Sequence, residues 1–333
     1  MTHSSTRIIA ALCAASLVAA LIVLAAEASA RLALARIVPH SYEVSRNPHR
    51  RFWQQYTAPR PRPAGERLVI LISNSQGHVG GDDTYPHLLE RQLNAADPRH
   101  RHVVANWSYE GGNAPDMIVL AARAAAHRPD VVLLVSYSRN FTKIMNDSSI
   151  ASSGDDLHHL AYLPEVRRFL SDWFIERYRI TSRHAWLASR SRLVQLHEVV
   201  ASLVKGRARR TRPALTKAAP WSDSAERLLD EFYATLRRGL PDTPLVVVSM
   251  PLNFEQFTPE SPANLREFMR RARARLGSEP AVTLLDAIQL LEPPLMTDET
   301  HLAPEGHARF ARWLVEPLLA SLSPQDRPLA AAR

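Results

Sequence analysis

Residues 67–74, RLVILISN, form a short apolar run that closes on two polar residues, and Ser75 follows at once. A run of this length without alternation reads as a strand buried on both faces, the kind found in parallel sheets. Four more runs share the pattern: 102–108 (HVVANWS), 130–138 (DVVLLVSYS), 244–250 (PLVVVSM) and 281–287 (AVTLLDA). Between and after them, helical periodicity is expected over 84–95, 114–127, 224–240, 261–276 and 304–322. Strand alternating with helix predicts an α/β fold, a three-layer sandwich around a five-stranded parallel sheet. In such sheets ligands bind beyond the carboxyl ends of the strands.

One stretch breaks the alternation. Residues 145–223 hold no strand pattern but two helical ones, about 164–178 and 183–204, and so read as a helical insertion. The expected α/β domain is therefore split into 67–144 and 224–323, with a tail over 324–333. From 165 to 217 there are 13 Lys/Arg against 4 Asp/Glu, a net of +9, whereas the whole chain of 333 residues carries +8. The basic excess thus sits in the insertion. Its reading is a solvated helical pair with an apolar stripe on the domain, or a face for anionic lipid headgroups or an acidic glycan. A nucleic-acid role is not expected.

Residues 8–26, IIAALCAASLVAALIVLAA, carry no charge and are long enough to span a bilayer. Residues 1–30 therefore read as a membrane anchor or a signal segment. Ala28-Ser29-Ala30 resembles a signal-peptidase site, but the run exceeds the usual apolar core of a signal peptide, which favours a retained anchor. Arg31, Arg36, Arg46, Arg50 and Arg51 after the run, against Arg7 before it, would by charge counting place the catalytic domain in the cytoplasm, whereas a signal-like N-terminus puts it outside; the expectation is outside, with a cleaved, secreted form as the alternative. Residues 31–66 are Arg-rich, end in alternating Pro and Arg, and read as a stiff linker. The single cysteine, Cys13, lies inside the apolar run, so no disulfide within the chain and no cysteine metal site can form. Asp82-Asp83…His87 and Asp155-Asp156…His158-His159 match no metal-ligand spacing, and no phosphate-binding glycine loop occurs. No cofactor is expected.

Ser75 stands just past the first strand, where the sheet edge offers a ligand site. A serine hydroxyl needs a base, and the base needs an orienting partner. Near the other end, Asp298-Glu299-Thr300-His301 sets a carboxylate and an imidazole within one turn of chain, so that Asp298 can hold Nδ1 and leave Nε2 of His301 for a serine. Glu299 and His307 compete for these roles at less suitable spacings. Gly111, after the second strand, can bring its N–H close to a substrate oxygen, and Asn140, after the third, can donate from its amide. Taken singly, each of these residues reads better as a helix cap or a turn former than as part of a site.

Their order and placement resemble the SGNH (GDSL) hydrolase family over about residues 67–144 and 241–320. Ser75 matches the first-block nucleophile, Gly111 the second-block glycine with Gly112 as rival, and Asn140 the third-block asparagine. Asp298 and His301 match the last block, including the His-Leu-x-x-x-Gly pattern that follows. The resemblance implies a flavodoxin-like fold of the SGNH type. It also implies a Ser75–His301–Asp298 catalytic set, with an oxyanion hole from Ser75, Gly111 and Asn140. The first block departs from the usual Gly-Asp-Ser, reading Ser73-Asn74-Ser75. The third reads Ser138-Arg139-Asn140-Phe141 in place of Gly-x-Asn-Asp. The function implied is a serine esterase or O-acyltransferase acting on an ester or acylated glycan of the cell envelope, beside a membrane-bound O-acyltransferase. The altered blocks keep a second expectation open, an idle domain of this fold that binds glycan or scaffolds an envelope complex.

Overall fold

The computed structural model describes residues 3–37, 62–77, 83–108, 112–142, 160–161, 163–178, 180, 191, 193 and 215–323. Five parallel strands, β1 (Glu66–Ser73), β2 (Arg101–Ser108), β3 (Val131–Ser136), β4 (Leu245–Ser249) and β5 (Val282–Asp286), make one sheet in the order β2-β1-β3-β4-β5. Each strand lies within one or two residues of its expected run. The sheet is a doubly wound α/β sheet with the flavodoxin-like order.

The side-chain period of two is visible in β1. Leu68, Ile70 and Ile72 enter one core, Val69 and Leu71 the other, and all five are fully buried. Burying such a side chain contributes about 1.5–3 kcal/mol, so a register slip by one residue would cost this strand most of its stabilisation. One face is covered by α2 (Tyr85–Ala96) and the last helix, Pro304–Leu322. The other is covered by α3 (Ala114–Ala124), then by α4 (Ser138–Thr142), and by the helices at Asp223–Gly239 and Ser261–Leu276. The result is the three-layer arrangement.

The insertion is less separate than its sequence suggests. The helix expected over 164–178 is two short ones, α5 (Pro164–Arg167) and α6 (Asp172–Arg177). The break falls where Ser171 caps α6, its Oγ accepting from Phe174 N at 3.1 Å while its own N–H donates to Glu231 at 3.2 Å. A serine offered such partners favours a cap over a continuous helix. Leu160, Val166, Leu170, Phe174 and Tyr178 are buried in the main core, and Glu165 meets the buried Arg123 of α3 at 3.3 Å. Downstream, Thr216 N donates to Gln256 O at 2.9 Å, and Ala218 N to Ser261 Oγ at 2.9 Å. Both flanks thus belong to the domain. The second expected helix, 183–204, lies outside the described residues apart from positions 191 and 193, and the tail 324–333 lies wholly outside them.

Four further elements complete the order: α7 (Asp223–Gly239), α8 (Ser261–Leu276), α9 (Pro304–Leu322) and, at the N-terminus, α1 (His3–Ile37). Within α1, Leu12–Ala33 has a mean hydropathy of 2.1 and is long and apolar enough to cross a membrane. The helix runs through Ala28-Ser29-Ala30 and on to Ile37, past the expected boundary at residue 30. Glu27 accepts from Ser191 Oγ and from Leu193 N. At the end of the stretch expected to be a linker, Arg62 meets Asp130 at 2.5 Å, and Arg67 of β1 reaches the same carboxylate at 3.4 Å.

The interior also holds a pH-sensitive element. His127, in the turn after α3, is buried with its ring edge-on to Trp107, centroids 5.1 Å apart. Burial, and then the nearby Arg123 charge, lower its pKa from 6.5 to about 3. Below pH 6.5 the unfolded chain therefore takes up a proton that the folded chain refuses, so stability falls as pH falls from 6.5 towards 3. The slope from this one group is about 1.4 kcal/mol per pH unit. Urea denaturation of His127→Leu between pH 7 and pH 4 is expected to give a visibly shallower acid loss than the parent. Equal slopes would contradict this role.

Candidate active site

The sheet order places β1 between β2 and β3, so the chain reverses its direction of winding beside β1. The crevice beyond the carboxyl ends of β1 and β3 is where such a reversal opens a ligand site. Ser75 begins a 3-10 turn, Ser75–Gly77, directly after β1. Asn74 shapes this turn, its Oδ1 accepting from Gln76 N at 3.0 Å and its carbonyl from Gly77 N at 3.3 Å. Gly77 lies against Ser108, at the end of β2, and a methyl added there would collide with Ser108 Oγ. Asn106 closes the contact by donating to Gly77 O at 2.9 Å.

The loop from β5 to α9 crosses the end of β4 to reach the same edge. Leu252 N donates to Ile288 O at 3.1 Å and Asn253 N to Glu299 O at 3.1 Å, which fastens the loop to the segment after β4. The loop closes on itself through Thr297 N to His301 O at 2.8 Å and Ala303 N to Leu295 O at 2.9 Å. Gly306 explains the glycine that follows the His-Leu pair. A side chain there would strike the Leu295 carbonyl oxygen, so only glycine lets α9 sit down on the loop.

This brings three of the sequence-predicted residues together. His301 Nε2 is 2.9 Å from Ser75 Oγ. His301 Nδ1 lies 2.9 and 2.8 Å from the two carboxylate oxygens of Asp298. Asp298 Oδ1 also accepts from the backbone N–H of Thr300 at 3.0 Å and of His301 at 2.9 Å, so the carboxylate is held before it holds the ring. His301 and Asp298 keep side-chain exposures of 15% and 21%, which leaves the group reachable from solvent.

The two rivals stand elsewhere. His307 is buried in α9, where its Nδ1 accepts from Tyr85 N at 3.1 Å. It serves α2 as a cap that Thr84 does not supply. Glu299 lies 3.8 Å from Arg139. Beside this pair, burial pushes the Tyr137 hydroxyl up to about 12, so it stays protonated at neutral pH.

Asn140 is fully buried at the start of α4. Its Nδ2 donates to Gly112 O at 2.7 Å, and its Oδ1 accepts from Ser136 Oγ at 3.2 Å and Tyr137 N at 3.3 Å. A longer contact of 3.5 Å joins it to Asn74, the neighbour of Ser75. One amide hydrogen of Asn140 is thus committed to the second-block loop, whose end is fixed by a reciprocal pair between Asn113 and Asp116 at 3.0 and 3.2 Å. Gly111 lies outside the described residues.

Gln76 has a place that spacing alone does not reveal. It is fully buried, and its Nε2 donates to Thr300 O at 2.7 Å and to Pro251 O at 3.2 Å. It therefore pins the serine turn to the residue before His301 and to the segment after β4. Gln76→Glu keeps the shape but sets a carboxylate against two carbonyls. A displacement near 1 Å costs about 10² in rate, so kcat is expected to fall about that far with KM little changed. An undiminished kcat in steady-state ester hydrolysis would contradict this positioning role.

No protein-family model and no curated protein matches the chain. Solved structures similar to it include a GDSL-like lipase from Bacteroides ovatus, at 11% identity over 79% of this chain and 55% of that one, with a TM-score of 0.42. A family 3 carbohydrate esterase from Talaromyces cellulolyticus matches at 11% identity over 77% of this chain and 98% of that one, TM-score 0.42. A family two carbohydrate esterase from Clostridium thermocellum, in complex with cellohexaose, matches at 10% identity over 79% and 66%, TM-score 0.40.

Proposed function

We propose that the chain is a serine-dependent esterase or O-acyltransferase of the SGNH type, working through an acyl-enzyme. The observation that supports this reading is the unbroken line of contacts Ser75 Oγ, His301 Nε2, His301 Nδ1, Asp298 carboxylate. In this reading His301 Nε2 takes the Ser75 proton as Oγ attacks the ester carbonyl. Asp298 fixes the tautomer that leaves Nε2 unprotonated and stabilises the imidazolium that forms. His301 returns the proton to the departing alkoxide, and Ser75 carries the acyl group. Water, or a sugar hydroxyl, then attacks the acyl-enzyme with His301 again as base.

The developing oxyanion is assigned to the Ser75 N–H, the Gly111 N–H and the side-chain amide of Asn140. Each such donor contributes about 10²–10³ in rate. The substrate class is an ester of a cell-envelope glycan, which fits a domain tethered by α1 on the outer side of the membrane, with a membrane-bound O-acyltransferase as acyl source in the transferase case.

The test uses the full chain in detergent with p-nitrophenyl acetate, with and without an oligosaccharide acceptor. Release of p-nitrophenol dependent on Ser75 supports the enzyme, and acetylated oligosaccharide among the products selects the transferase. No release above that of Ser75→Ala would favour the idle, glycan-binding reading.

A further inference from the structure

At the opposite end of β2, about 20 Å of extended chain from Ser108, three side chains converge that the proposed chemistry does not use. Asp97 follows α2, His100 lies in the turn, and His102 opens β2. Asp97 Oδ2 is 2.8 Å from His100 Nδ1 and 3.3 Å from His102 Nε2, and the three donor atoms all lie within 4.8 Å of one another.

We propose that Asp97, His100 and His102 bind a divalent transition-metal ion, with zinc as the type case. A carboxylate oxygen and two imidazole nitrogens are a donor set that zinc and its neighbours accept. With metal–ligand bonds of about 2.0–2.2 Å, a tetrahedral site has donor–donor edges of about 3.3–3.6 Å. The His102 edge, 3.3 Å, sits at the lower end of that range, while the His100 edge, 2.8 Å, falls short of it, so the partly exposed His100 draws back to admit the ion, and water completes the fourth position.

The surroundings suit the role. Asp97 divides its oxygens: Oδ1 accepts from Arg99 Nε at 3.0 Å, and Oδ2 is turned to both rings. A ligand carboxylate steadied by an outer hydrogen bond is the usual arrangement around a metal. His102 is fixed by its backbone, since its N–H donates to Asn94 Oδ1 at 2.9 Å and its carbonyl accepts from Asn94 Nδ2 at 2.8 Å. Its side chain is 1% exposed and that of His100 is 32% exposed, so one ligand is rigid and the other is open to an entering ion. The bound ion would clamp the end of α2 to the start of β2.

The full chain in detergent, stripped with chelator, is dialysed against Co²⁺ and then Zn²⁺. The expected result is one Co²⁺ per chain with the intense visible absorption of a four-coordinate nitrogen–oxygen site, displaced by Zn²⁺. His100→Ala should lose at least 10-fold in affinity while keeping its metal-free thermal midpoint and its ester hydrolysis. His100→Gln, which can still hydrogen-bond to Asp97, should lose the ion equally. Absence of a bound ion in the parent chain, or unchanged binding in both variants, would overturn the proposal.

Discussion

Replacing His301 with alanine is expected to lower kcat for p-nitrophenyl acetate by on the order of 10⁶, the scale seen when the base of a serine catalytic set is removed. The reason is local. Ser75 Oγ has its base at 2.9 Å, and the two rival groups cannot take over. His307 has its Nδ1 committed to the Tyr85 N–H, and Glu299 faces Arg139. Folding should be little affected, because the imidazole is partly exposed and the loop is closed by backbone bonds at Thr297 and Ala303. Steady-state kinetics with a thermal melt as control check this. A loss below 10-fold with an intact fold would mean that His301 is not the base.

Asp298→Asn is expected to cost on the order of 10⁴ in kcat, and the hydrogen bonds give the reason. Oδ1 of Asp298 already accepts from the N–H groups of Thr300 and His301. An asparagine there keeps its carbonyl oxygen on those donors, which turns its NH₂ towards His301 Nδ1, now 2.8 Å from Oδ2. Nδ1 must then accept, the ring proton moves to Nε2, and the ring can no longer take a proton from Ser75. The loss should appear in kcat with the thermal midpoint close to the parent value. Asp298→Ala should be less stable than Asp298→Asn, since it strands two backbone donors at a cost of about 1–3 kcal/mol each.

The sheet was legible because its strands are buried on both faces and therefore read as unbroken apolar runs. β1 to β5 fall within one or two residues of 67–74, 102–108, 130–138, 244–250 and 281–287. Asp298 and His301 were legible because their relation is local, three residues apart in one turn. Their pairing with Ser75 spans 226 positions and followed only from placing both loops at one sheet edge. Gln76 was not legible, since nothing in its neighbours shows that its amide meets the Thr300 and Pro251 carbonyls 224 and 175 positions away. The helix break at Ser171 was hidden for a similar reason: it depends on Glu231, from a helix 60 positions on. Asp97, His100 and His102 did not stand out in the sequence, because their meeting depends on the turn between α2 and β2 that folds them onto one point.

Labelling of the full chain with a fluorophosphonate probe tests the central claim most directly, because the probe reacts with a serine only when a base activates it. The account predicts one label per chain, located by peptide mapping on Ser75, lost in Ser75→Ala and strongly slowed in His301→Ala. An unlabelled parent chain, or equal labelling of Ser75→Ala, would contradict it.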